Sequence, residues 1–230
     1  MQRSDFILFP ADVFAAMKKV TSNNWLALAL CAVGLFALHV GSSYLSAESY
    51  LGFAELDVLQ HSVLADIFIY LIAGGALLCL GGFLIWVRPD SLWHFLRLST
   101  LLFGFLVALE IAFSLLTHFA VQISMPLGMV LYIIGAIVVA AYSTCLLANI
   151  VVRKEFGMRV YSEVFRFVFA LSVAQVLLLY LLSTILGGYA AGSEAVNIAV
   201  FFLHEGLTAI TSMLVLIACV ALLSLMETGI

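Results

Sequence analysis

Residues 63–87 read VLADIFIYLIAGGALLCLGGFLIWV, and Arg88-Pro89-Asp90 follow. A single acid, Asp66, interrupts a run that is otherwise apolar, aromatic or glycine. A membrane helix needs about 20 apolar residues to cross about 30 Å of hydrocarbon. Strands of a membrane barrel would instead show alternating segments of about 10 residues. This run is continuous, so a helix is expected. The same reading applies on either side, to Trp25–Tyr44, Leu98–Val121, Pro126–Val152, Phe167–Leu186 and Ile198–Met226. The expected fold is all-α: a polytopic transmembrane bundle of six spans over residues 24–230, behind an interfacial segment over residues 1–23.

Composition agrees. Of 230 residues, 65% are hydrophobic and 10% charged, with a mean hydropathy of +1.23. A soluble domain has about 45–50% apolar and about 25% charged residues, so the polar surface needed to cover a water-soluble globule is lacking. Three prolines and the absence of polar tracts exclude a disordered chain. A net charge of −4 argues against nucleic acid as a partner.

Charge also orients the chain. Arg3, Lys18, Lys19, Arg88, Arg97, Arg153, Lys154, Arg159 and Arg166 all fall before the first span or between spans 2 and 3 or 4 and 5. The opposite loops carry Glu48, Glu55, Asp57 and Glu194, without Lys or Arg. Positive loops stay cytoplasmic, so both termini are expected inside. The segment before Trp25 carries Phe6, Phe9, Val13, Phe14 and Met17 beside Asp12, Lys18 and Lys19, with Pro10 suited to a first helical turn. It reads as an amphipathic helix lying in the interface. It is too long an n-region for a secretory leader, and Leu30 is too large for a lipoprotein box before Cys31.

Cys31, Cys79, Cys145 and Cys219 sit one to a span without a CxxC pair, so they read as small apolar packers. Gly74 and Gly81 share a face of span 2, with Gly75 and Gly82 beside them, and Gly128 and Gly135 share one of span 4, with Ala136 adjoining. Small residues let helices approach closely in lipid, so spans 2 and 4 are expected at the packed centre. Ile69–Gly74 resembles Leu131–Ala136, and Ser91, Phe95 and Arg97 loosely parallel Ser162, Phe165 and Arg166; spans 2–3 and 4–5 could be parallel repeats.

The order of features over residues 1–187 resembles the Yip-type family of polytopic membrane proteins. The residues that carry it are Phe9-Pro10-Ala11-Asp12-Val13-Phe14, the pair Asn24-Trp25 opening span 1, and the basic turn with Phe95 and Arg97. The span Ile198–Met226 is additional to the family's pattern. The resemblance implies a non-enzymatic membrane organiser or trafficking-type protein, and no catalytic residue.

Ionisable groups inside a membrane cost at least ~2.5–3.5 kcal/mol, which makes each a functional candidate. At about 1.5 Å per residue, Glu110, His204 and Glu205 come out at one depth, slightly outside the midplane, with His39 near the same level. Glu110, Ser114 and Thr117 share a stripe of span 3, with His118 adjoining; His204, Thr208 and Thr211 share one of span 6. His61 and Asp66 lie nearer the outer surface. The cytoplasmic half is mostly apolar apart from Gln175, Tyr142, Ser143 and Thr144, and His94 falls in a cytoplasmic turn.

Three readings of this polar cluster compete. Glu110 could hydrogen-bond across to His204 or a threonine and serve as structural glue. A carboxylate and histidine at one depth could handle protons or a solute. His39, His118 and His204 could offer axial ligands to haem b, with His39 and His204 the better matched pair. No haem or other cofactor is expected under the first two readings, and no metal site is expected. The chain carries no P-loop, GxSxG elbow or HExxH motif. The overall expectation is a non-enzymatic membrane protein in the lipid bilayer, of the bacterial inner membrane. It would be a transport component or Yip-like organiser working with other membrane subunits. The alternatives are a haem-b electron-transfer subunit and the substrate-binding membrane subunit of an ATPase-powered transporter.

Overall fold

The computed structural model describes residues 10–48, 58–101, 104, 108, 111, 115, 125–152, 158–190 and 194–228. Among the described residues there is no strand. The helices are α1 (Pro10–Asn23), α2 (Trp25–Glu48), α3 (Val58–Val87), α4 (residues 92–101, with 104, 108, 111 and 115 also helical), α5 (Met125–Val152), α6 (Met158–Ala190) and α7 (Glu194–Thr228). Five are long and apolar enough to cross a membrane, over Trp25–Ser42, Asp66–Val87, Ile133–Val152, Val160–Leu182 and Ala199–Met226. The chain is read as an integral membrane protein on that ground. Most of the expected span Leu98–Val121 lies outside the described residues.

Boundaries follow local chemistry. Pro10 takes the first position of α1, where its missing N–H costs nothing. The Asn24 side-chain amide donates to the Val20 carbonyl at 3.0 Å, closing α1, and Trp25 opens α2. At the end of α3, Arg88 adopts a left-handed conformation (φ 52°). Its N–H donates to the Leu84 carbonyl at 2.9 Å, a left-handed cap, and Pro89 prevents the helix from resuming. Ser91 then caps α4 by accepting from the His94 N–H at 3.2 Å. The helix α6 begins at Met158, before the start of the apolar run, and Glu163 and Arg166 are exposed on its first turns. Glu163 and Arg166 pair there at 3.3 Å.

The chain divides into two compact units. The first takes Met1–Trp25, Phe103–Val173 and Leu214–Ile230. Its core is apolar: Ile137, Ala141, Cys145 and Ala148 of α5, Val164 and Val168 of α6, and Val215 and Ile217–Leu223 of α7. The α7 run is buried on every side, as a helix surrounded by others must be. The two buried serines here satisfy themselves locally. Ser143 donates to the Val139 carbonyl at 2.6 Å and Ser172 to the Val168 carbonyl at 2.9 Å. Cys145 and Cys219 are hydrogen-bonded side chain to side chain.

The second unit takes Leu26–Leu102 and Ala174–Met213. Its α2–α3 pair is antiparallel and closer than side chains normally permit. A Cβ on Gly34 would stand 2.7 Å from the Cys79 N and the Gly75 O; one on Gly82 would stand 2.7 Å from the Ala27 O. The contact runs through Ala27, Cys31, Gly34 and Gly41 on α2 and Phe68, Ile72, Gly75, Cys79 and Gly82 on α3. Cys31 and Cys79 each direct Sγ at the other's carbonyl, 3.6 Å away. The seam chooses between the two glycine rows of α3. Among the described residues, nothing stands within 4 Å of a Cβ on Gly74 or Gly81. Their neighbours Gly75 and Gly82 carry the packing, against α2. Two glycine rows with one spacing occupy adjacent faces of α3, and only the row that meets the small residues of α2 can close.

Candidate functional site

The second unit also holds the ionisable group that the depth argument singles out. Glu205 is buried on α7, with 6% of its surface exposed. One carboxylate oxygen, Oε1, stands 3.3 Å from Nδ1 of His204; the other, Oε2, stands 3.9 Å from Nδ1 of His39 on α2. The His204 contact is within hydrogen-bonding distance, whereas the His39 contact is an ion-pair distance without a hydrogen bond. The two histidine side chains remain 34% and 35% exposed. The acid is therefore withdrawn while its two bases reach outward.

The surroundings are aromatic. Phe36, one turn before His39, meets Phe202 with ring centroids 6.4 Å apart. Phe201 and Phe202 meet edge to face at 5.5 Å. Gly206 leaves the Phe36 ring in ordinary contact distance of α7, 3.8 Å from where a Cβ would be. Phe201 and Phe202 precede Glu205 by four and three residues, the spacing that places side chains on one helix face. No Lys or Arg occurs in α2, α3 or α7, so histidine is the sole source of positive charge for this carboxylate on those helices.

A polar column continues along α7. Thr208 donates to the His204 carbonyl at 2.9 Å. Thr211 donates to the Leu207 and Thr208 carbonyls at 2.8 and 3.1 Å. Gln175 of α6 reaches across with its Nε2 and donates to Thr211 Oγ1 at 2.9 Å and Ser212 Oγ at 3.0 Å. One amide thereby joins α6 to α7, at about 10 Å, or seven residues, from Glu205 along the helix.

Of the residues selected from sequence, His39, His204 and Glu205 come together, and Thr208 lies one turn away on the same helix. Asp66 is exposed on α3 and forms no ion pair with either histidine. Glu110, Ser114, Thr117 and His118 lie outside the described residues, as does the His61 side chain. Sequence reasoning missed two arrangements. Gln175, one of the few polar residues of the expected cytoplasmic half, has partners in Thr211 and Ser212 on α7 that the sequence does not reveal. The cysteines are two facing pairs rather than four singles. Among the described residues, no three His, Cys, Asp or Glu side chains have the spacing to hold a metal ion.

No protein-family model, no curated protein and no solved structure matches this chain.

Proposed function

We propose that this chain is a non-enzymatic membrane transport component in which His39, Glu205 and His204 take up and release protons. One observation carries the reading: a buried carboxylate is held by two partly exposed imidazoles on two helices. Imidazole changes charge between about pH 5 and 8, and a hydrogen bond to an ionised group is worth about 1.5–3 kcal/mol. That is comparable to the insertion cost of one buried charge, about 2.5–3.5 kcal/mol. The group is thus near balance, and a proton moved onto or off a ring tips it.

The six-span arrangement with cytoplasmic termini accompanies this reading, in the bacterial inner membrane and beside other membrane subunits. The one-sided distribution of Lys and Arg supports it. So do Trp25 and Trp93, exposed at the same basic ends of α2 and α4, where interfacial tryptophans belong. Haem ligation by His39 and His204 is less compatible with the site. Ligation of one iron needs the two rings to converge on it, and the atoms the structure brings together are the two Nδ1, on the Glu205 carboxylate. A purely structural role, gluing α2 to α7, is the competing reading, as it would be for a Yip-like organiser.

The test is a potentiometric titration of the full chain in lipid nanodiscs between about pH 5 and 8. Glu205→Gln keeps the shape and the hydrogen-bond acceptor. It is expected to bind about one proton fewer in that window and to retain its elution volume and helicity. An unchanged proton count with an intact fold would leave only the structural role.

A further inference from the structure

We infer that the His39–Glu205–His204 group is also a binding site for a lipophilic organic monocation, of the ammonium or phosphonium class, which competes with the proton; this rests on the proton-handling reading. The argument is one of charge. With both rings neutral, the group carries −1. With one proton it is neutral, and with two it carries +1. A site withdrawn into an apolar bundle is least costly at zero, and zero is reached by one proton or by one monovalent cation. The exchange balances: the protonated group plus a free cation gives the deprotonated group with the cation bound, and one proton leaves to water.

The lining decides which cation. Sodium or potassium would need a shell of several oxygens. Here two imidazole nitrogens face the carboxylate, Phe202 stands three residues before Glu205 on α7 and Phe36 three before His39 on α2, and those two rings meet with centroids 6.4 Å apart, while the hydroxyl of Thr208 is turned to its own helix. Aromatic faces beside a carboxylate suit a large, weakly hydrated organic cation. Phe202 and both histidines are part-exposed, so such a molecule has an edge to approach. Among the described residues, the titratable groups in contact with Glu205 are His39 from α2 and His204 from its own helix. On the other helices of this unit, Asp66 and Tyr70 of α3 and Tyr180 of α6 are exposed.

The experiment is calorimetric titration of the full chain in detergent with tetraphenylphosphonium, in buffers of differing ionisation enthalpy, beside the neutral triphenylphosphine oxide. Release of about one proton per cation is expected in the acid part of the range. Affinity should tighten by up to about tenfold per pH unit until the group is deprotonated. Glu205→Gln should weaken the cation by about tenfold or more and leave the neutral compound unaffected. If that variant does not fold, Phe202→Leu should weaken the cation several-fold with the proton count of the free protein unchanged. Cation binding without proton release, or equal binding of the cation to wild type and Glu205→Gln, overturns the inference. Absence of cation binding while the Glu205-dependent proton persists overturns it alone. Loss of that proton's dependence on Glu205 removes the proton reading and this one together.

Discussion

The two halves of α7 are one continuous helix and two kinds of surface. From Val215 to Leu223 nearly every side chain is buried and apolar. From His204 to Ser212 the helix presents His204, Glu205, Thr208, Thr211 and Ser212, with Ala209 buried and Ile210 exposed. The first half is what lipid-soluble packing produces by default. Apolar helices gain little from one another over lipid by the hydrophobic effect, so close contact and dispersion must hold them. The second half places polar groups where each must find a partner or remain costly. Order in the first half therefore depends on shape, and in the second on hydrogen bonds and charge. Substitutions should divide accordingly.

The largest effect is expected where shape is least forgiving. Gly34→Leu would drive a side chain into the backbone of α3, against atoms already 2.7 Å from a Cβ. Overpacking costs about 1–3 kcal/mol even in yielding cores, and backbone does not yield. The expected result is loss of the folded α2–α3 pair, read as aggregation on heating in detergent well below the wild-type midpoint. Gly74→Leu, on the open face of α3, should leave that midpoint nearly unchanged. Equal damage from both would mean that the open row is also covered.

Next comes the apolar half of α7. Leu223 is fully buried, and Leu→Ala in a close-packed core costs about 2–5 kcal/mol. Leu223→Ala should lower thermal stability without altering proton binding, whereas Glu205→Gln should alter proton binding with a smaller change in stability. A Glu205→Gln chain destabilised as much as Leu223→Ala would place the polar half, too, in a structural role.

The sequence made one level of this organisation legible. Uninterrupted apolar runs set five helices to within a few residues at most ends, because hydrocarbon thickness and helical rise are both fixed. Counting residues put His39, His204 and Glu205 at one depth, and depth is the coordinate that a helical rise preserves. Azimuth is not preserved in that way. Gly74 with Gly81 and Gly75 with Gly82 have identical spacing, and nothing within α3 distinguishes them. The information lay on the partner, where Ala27, Gly34 and Gly41 repeat at the same interval on α2, with Cys31 between the first two. The cysteine pairs and the Gln175 bridge were hidden for the same reason, since each is half a contact whose other half lies on another helix. Start points also slip where charge enters a helix, as at Met158, because a hydropathy reading stops at Arg166 while the hydrogen-bond ladder does not.

A smaller effect tests the polar half where no ionisable group acts. Gln175→Leu removes two hydrogen bonds, to Thr211 and Ser212. Between membrane helices such bonds average about 0.6 kcal/mol each, so a loss of about 1 kcal/mol is expected. The hydroxyl of Thr211 keeps its own bonds to Leu207 and Thr208, which limits the damage to the bridge itself. Thr211→Val alone should cost less than Gln175→Leu, because the amide retains Ser212. The double variant should then fall short of the sum of the two singles, since both remove one shared bond. Denaturant titration of the four chains in mixed micelles gives the coupling. Strict additivity would show that Gln175 does not hold α6 to α7 through Thr211, and the polar column would then end at Thr208.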